Sequence, residues 1–151
     1  VMTAALHVIR LHQWQPQVTL TRPILWILHA SYAWLPVGFA FLGLSQAGWL
    51  PSSLAVHAMG VGVVGGFIIG MITRTARGHT GRLLQVSRAE VLAYALVMVA
   101  TMVRVVLPAF QPVWTITAIK ASAGLWSLAF AIYLWIYTPW LMQTRVDGKD
   151  G

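Results

Sequence analysis

Histidine is the residue type in this sequence best suited to chemistry. Five histidines and no cysteine occur among the 151 residues. Without cysteine, disulfides, iron–sulfur clusters, thiolate-ligated haem and covalently attached c-type haem are excluded. The carboxylates Glu90, Asp147 and Asp150 all lie near segment ends, so paired-carboxylate and Ser-His-Asp catalysis are not expected. Any bound metal or haem iron would depend mainly on imidazole nitrogens.

The elements that must position these histidines are membrane helices. Hydrophobic residues make up 58% of the chain and charged residues only 9%, whereas soluble domains carry about 25% charged residues. Four apolar runs, at about 24–46, 52–73, 89–107 and 113–138, are each close to the ~20 residues that cross a hydrocarbon core. The sequence therefore predicts an all-α integral membrane bundle of four transmembrane helices, preceded by a short N-terminal helical segment.

Charge patterning predicts the orientation of this bundle. The 74–88 connection carries four arginines, whereas the 47–51 and 108–112 connections carry no charge. The positive-inside rule then places both termini and the 74–88 connection in the cytoplasm. We expect residues 1–22 to be the end of a truncated membrane helix with a linker, 23–141 the membrane domain, and 142–151 a cytoplasmic tail. The net charge is +7, but the basic residues lie in the gaps between apolar runs rather than on one solvated face. Nucleic-acid binding is therefore not expected.

The stretch RTARGHTGR, residues 74–82, is the most polar part of the interior of the chain. It lacks the lysine and the length of a phosphate-binding P-loop. We interpret it as a basic cytoplasmic loop that sets the topology, with His79 as a candidate contact for a metal or haem on that side.

Two histidines lie inside predicted spans, at different depths. His29 follows the cytoplasmic start of the first span, and His57 follows the outer start of the second. At 1.5 Å per residue their depths differ by ~15 Å, whereas axial nitrogens on one haem iron lie only ~4 Å apart. They are therefore predicted to serve separate sites. His7 and His79 could join His29 at one haem or copper centre, and the alternative for each histidine is a hydrogen bond to a neighbouring helix.

Two cations, Arg104 and Lys120, are predicted toward the outer side, in the same leaflet as His57. They could bind the propionates of a haem whose iron His57 holds, or extend to the membrane surface. Lys120 belongs to a strip of small and polar residues that we expect to be the packed face of its helix. The other members of the strip are Thr117, Gly124, Ser127 and Ala131.

The second span carries a repeated small-residue pattern, with Gly62, Gly66 and Gly70 at steps of four. Such glycines allow close approach of another helix. They could equally leave room for a flat porphyrin, and both interpretations stand at this point.

Three blocks of the sequence resemble the NnrS family of bacterial membrane proteins. They are LHASYAWLPVGFAFLGL at 28–44, AVHAMGVGVVGGFIIGMITRTARGHTGR at 55–82 and MVRVVLP at 102–108. The chain resembles the C-terminal third of longer family members. The resemblance implies an inner-membrane protein that contains haem b and copper and is connected with denitrification and nitric oxide stress. His29, His57 and His79 stand in the family-like blocks and are the first candidate ligands.

The leading hypothesis is a haem-binding membrane protein of nitric oxide tolerance, in which a single histidine such as His57 leaves one axial position open. One alternative is an electron-transfer subunit with haem in both leaflets. Another is a haem-free transporter or assembly module. The expected partners are the lipid bilayer, haem and further membrane helices, from the same chain, another subunit or a second copy.

Overall fold

The computed structural model describes residues 1–148 and contains no strand within them. The helices are α1 (Met2–Gln13), α2 (Pro23–Gln46), α3 (Ser52–His79), α4 (Arg88–Phe110) and α5 (Thr115–Leu141). Short 3-10 turns at Pro16–Thr19 and Pro112–Trp114 lead into α2 and α5. Helices α2 to α5 are long and apolar enough to cross a membrane, which confirms the predicted fold class. The last three residues of the expected tail lie outside the described residues.

Helix α3 changes its winding where its glycines are concentrated. It is α-helical over Ser52–His57, π-helical over Ala58–Gly65 and α-helical again to His79. The glycines on its packed side are covered by side chains from neighbouring helices. A Cβ at Gly62 would lie 2.5 Å from Cγ of Trp34, and one at Gly65 would overlap the Trp126 indole. The glycines therefore serve helix packing, and the space they leave is filled by protein rather than open to a porphyrin.

The buried core lies where the four long helices meet. Ile27 of α2, Ile69 of α3, Tyr94 and Val97 of α4, and Ala129 of α5 are fully buried there. This core holds the helices in one arrangement, so the positions of polar side chains at either end of the bundle follow from it.

Helix α3 is longer than the sequence predicts. The expected boundary was at residue 73, but the helix continues to His79. Residues 74–79 of the predicted connection are therefore helical, and the connection shortens to residues 80–87. The cause is Arg77, whose Nη2 lies 2.6 Å from Oε2 of Glu90 and whose Nη1 donates to the Leu83 carbonyl at 2.9 Å. Because the charge of Arg77 is paired inside the bundle, this turn does not need solvent to remain stable.

Glu90 is the centre of a buried polar cluster that sequence reasoning missed. It is 2% exposed and accepts hydrogen bonds from Arg77 Nε at 2.8 Å, from the Ser87 backbone N–H at 2.6 Å and from the Tyr137 hydroxyl. These bonds join α3, α4 and α5. The local signal was readable, because Ser87-Arg-Ala-Glu90 forms a capping box at the start of α4. The partners Arg77 and Tyr137 are remote in sequence and had no such signal.

The prediction that the Lys120 strip forms the packed face of α5 is wrong. All five residues of the strip that contains Lys120 are exposed in the bundle, and a Cβ at Gly124 would meet nothing within 4 Å. The buried residues of α5 are instead Ala118, Ser122, Ala129 and Tyr137. The hydroxyl of Tyr137 bonds to Glu90, and this contact selects which side of α5 faces α4.

We predict that Glu90→Gln destabilises the protein by about 3–5 kcal/mol, because it leaves the Arg77 guanidinium as an uncompensated buried charge. Arg145→Gln is the control, since the Arg145–Asp147 pair is more exposed, at 20% and 30% of the side-chain surface, and such pairs contribute little. Unfolding of both variants by sodium dodecyl sulfate in mixed micelles measures the difference. Equal losses would show that the Glu90 cluster does not support the fold.

We predict that Gly65→Ala costs about 1–3 kcal/mol, because its methyl group would enter the space of the Trp126 ring and force an over-packed core. Gly60→Ala is the matched control in the same π-helical segment, since a Cβ there meets nothing within 4 Å. The same unfolding titration should leave Gly60→Ala close to wild type. A similar loss in both variants would argue against tight packing at Gly65.

Candidate functional site

An aromatic groove lies on the face of α2 that α1 only partly covers. Trp14, just after α1, contacts Tyr32 with ring centroids 4.7 Å apart and His29 edge-on at 6.2 Å. His7 of α1 stacks on Phe39 at 5.4 Å with an interplanar angle of 4°. The groove thus brings two of the candidate histidines onto one face of the bundle, on either side of Tyr32.

His29 is held by the backbone of its own helix. Its Nδ1 lies 3.1 Å from the Leu25 carbonyl oxygen. A carbonyl oxygen only accepts hydrogen bonds, so Nδ1 carries a proton, and in the neutral form of the ring Nε2 has the lone pair. Within residues 1–148 no hydrogen bond is made to Nε2. A metal-binding histidine is typically oriented in this way, by an Nδ1–H bond to a backbone carbonyl.

Two apolar cavities meet at His29. One of about 450 Å³ is lined by Trp14, Leu28, His29, Tyr32, Leu35 and Phe67. The other, of about 290 Å³, lies on the side of Pro16–Thr19 and also reaches His29. Ligand pockets are usually apolar with few polar groups and measure about 300–1,000 Å³. His29 therefore lies at the junction of two apolar cavities, and its ring is oriented by a backbone carbonyl.

His7 lies on the same groove but is already engaged. Its Nδ1 and the Tyr32 hydroxyl share a hydrogen bond of 2.6 Å. The expected three-histidine centre does not form, because no group of three potential ligands comes together within residues 1–148. His79 lies instead near the end of α3, where it lines a cavity of about 470 Å³ with Arg74 and Arg145.

His57 and Arg104, which the sequence places toward the same side of the membrane, are in direct contact. Nη2 of Arg104 lies 3.1 Å from Nε2 of His57. Since a guanidinium can only donate, Nε2 accepts and Nδ1 carries the proton of the neutral imidazole. An iron at Nε2 would have to displace the guanidinium. Nε of Arg104 is buried without a protein partner within the described residues, whereas Lys120 is exposed on α5 and makes no ion pair with them.

The fold and this groove define a polytopic helical membrane protein with a histidine on a helix face that α1 only partly covers. The sequence model of one family, described as NnrS protein, matches residues 1–145. The chain therefore belongs to the NnrS family, and this membership connects it with the response to nitric oxide. Neither the curated proteins nor the solved structures give a match to the chain.

We predict that His29 and His57 both carry the Nδ1–H tautomer when neutral, for different reasons. Removing the guanidinium with Arg104→Leu should release His57 from this tautomer, because Nε2 no longer has a donor to accept from. His29 should not change, since its partner is the Leu25 carbonyl. Solid-state NMR of ¹⁵N-histidine-labelled protein distinguishes the two nitrogens. An unchanged His57 signal in Arg104→Leu would contradict the contact.

Proposed function

We propose that this chain is a haem-binding membrane protein of nitric oxide tolerance, and that His29 supplies the axial ligand to haem b. The observation that carries the proposal is the His29 imidazole, which lines an apolar groove and whose Nδ1 is bonded to the Leu25 carbonyl rather than available to a metal. The position of the basic residues supports the bacterial inner membrane, with both termini in the cytoplasm.

The residues of the groove would set the properties of the bound group. The Leu25 carbonyl fixes the orientation of the His29 ring. The Trp14, Leu35 and Phe67 side chains would exclude water from the coordinating nitrogen, and Tyr32 with His7 provides a hydroxyl–imidazole pair close by. A haem held by one histidine offers an open iron position to nitric oxide.

The other candidate residues take different places in this proposal. His57 coordination, with propionates on Arg104 and Lys120, stays a prediction that requires the 3.1 Å contact of His57 with Arg104 to break. Copper, which the family implies, does not fit these residues alone, because no three-ligand group forms within residues 1–148. We therefore derive no copper chemistry for this chain.

Further membrane helices belong to the proposal as partners. Only 11% of the most hydrophobic stretch of α5 is buried in the bundle, whereas 39% to 44% of the corresponding stretches of α2, α3 and α4 are buried. Small residues and Lys120 lie on its exposed side, and such a surface favours helix association over contact with lipid.

We predict that His29→Ala abolishes the Soret band of the purified protein, because the imidazole that would bind iron is gone. His12→Ala is the matched control, since His12 is an exposed histidine at the end of α1. His57→Ala should also keep the band. Absorption spectra of the oxidised and the dithionite-reduced protein measure haem content, and a colourless wild-type chain or full haem content in His29→Ala would refute the proposal.

We predict that nitric oxide shifts the spectrum of the reduced wild-type protein, because a haem held by His29 alone keeps one iron position open. His57→Ala should respond in the same way. A reduced spectrum that nitric oxide does not perturb would indicate two axial ligands and favour electron transfer instead.

A further inference from the structure

A second cavity lies at the arginine-rich end of the bundle, away from the aromatic groove. It measures about 700 Å³ and lies between the start of α2, the end of α3 and the 80–87 connection. Arg22, Arg74, Thr21 and Gln85 supply its polar lining, and proline, leucine, isoleucine and valine residues supply the rest. The cavity therefore combines two cations, two neutral hydrogen-bonding groups and an apolar wall.

No carboxylate among the described residues pairs with either arginine of this cavity. Within residues 1–148 there are two ion pairs, Arg77–Glu90 and Arg145–Asp147, and neither includes Arg22 or Arg74. The carboxylate of Glu90 is already saturated by donors from three residues. Two guanidinium groups that line one cavity repel each other, and a bound anion would remove that repulsion.

The adjoining cavity provides a contrast. It is lined by Arg74, His79 and Arg145, but Asp147 binds Arg145 there with a shortest distance of 2.7 Å. A carboxylate of the chain already occupies the anion position beside Arg145. The cavity of Arg22 and Arg74, by contrast, has no carboxylate among its described lining residues.

We propose that the Arg22–Arg74 cavity binds the phosphate group of an anionic phospholipid. Guanidinium groups match phosphate oxygens through paired, charge-assisted hydrogen bonds. The apolar wall suits the glycerol and the upper acyl chain of a lipid, which a free phosphate ion would leave uncovered. All arginines except Arg104 lie toward this end, so the positive-inside rule puts the cavity at the cytoplasmic leaflet, where basic pockets between helices bind anionic headgroups.

Native mass spectrometry of the purified chain with phosphatidylglycerol or phosphatidylcholine tests this proposal. The wild type should bind phosphatidylglycerol preferentially, and Arg22→Gln and Arg74→Gln should each weaken that binding about tenfold, as expected for loss of one charge-assisted contact. Arg88→Gln is the matched control, an exposed arginine at the same end that does not line the cavity. Phosphatidylglycerol binding unaffected by both single substitutions would overturn the proposal.

Two further measurements distinguish binding of a phospholipid from binding of inorganic phosphate or of haem propionates. Millimolar inorganic phosphate should not release phosphatidylglycerol, and its release together with phosphate binding would mean a site for soluble phosphate instead. Haem content of Arg22→Gln and Arg74→Gln should equal that of the wild type. Loss of haem with unchanged lipid binding would assign the arginines to haem propionates and overturn the lipid proposal. The lipid measurement is independent of the His29 proposal, since it does not require a haem-loaded protein.

Discussion

The buried carboxylate of Glu90 is the interaction on which the rest of this bundle depends. A lone carboxylate inside an apolar bundle would be costly, and here it is balanced by Arg77, by Tyr137 and by a backbone N–H of the α4 capping box. Because its partners come from α3 and α5, the same group sets the helical end of α3 and the rotation of α5. The faces that α5 leaves exposed follow from this one requirement.

The glycines of α3 contribute to packing, because they let large aromatic rings approach the backbone of this helix. Trp34 and Trp126 occupy the space that side chains at Gly62 and Gly65 would need. This close packing fills the centre of the bundle with protein. The two apolar cavities beside His29 lie away from these glycines, along the groove between α1 and α2.

The two histidines inside the long helices show how the partner of one nitrogen determines what the other can do. At His29 a backbone carbonyl accepts from Nδ1, and Nε2 has no hydrogen bond to residues 1–148. At His57 a guanidinium occupies Nε2 itself. Residue type and position in the sequence make both side chains candidate ligands. They differ in the neighbouring group that bonds to the ring, a carbonyl at His29 and a guanidinium at His57.

The sequence by itself determined the number of membrane helices, the concentration of arginine at one end and the separation of His29 from His57. Hydropathy, charge position and rise per residue depend only on local order along the chain. Tertiary structure decided which face of α5 is packed and how far α3 extends beyond residue 73. It also decided which groups surround His29 and His57. These depend on contacts such as Glu90 with Tyr137, which lie 47 residues apart, and hydrophobic periodicity carries no information about such pairings.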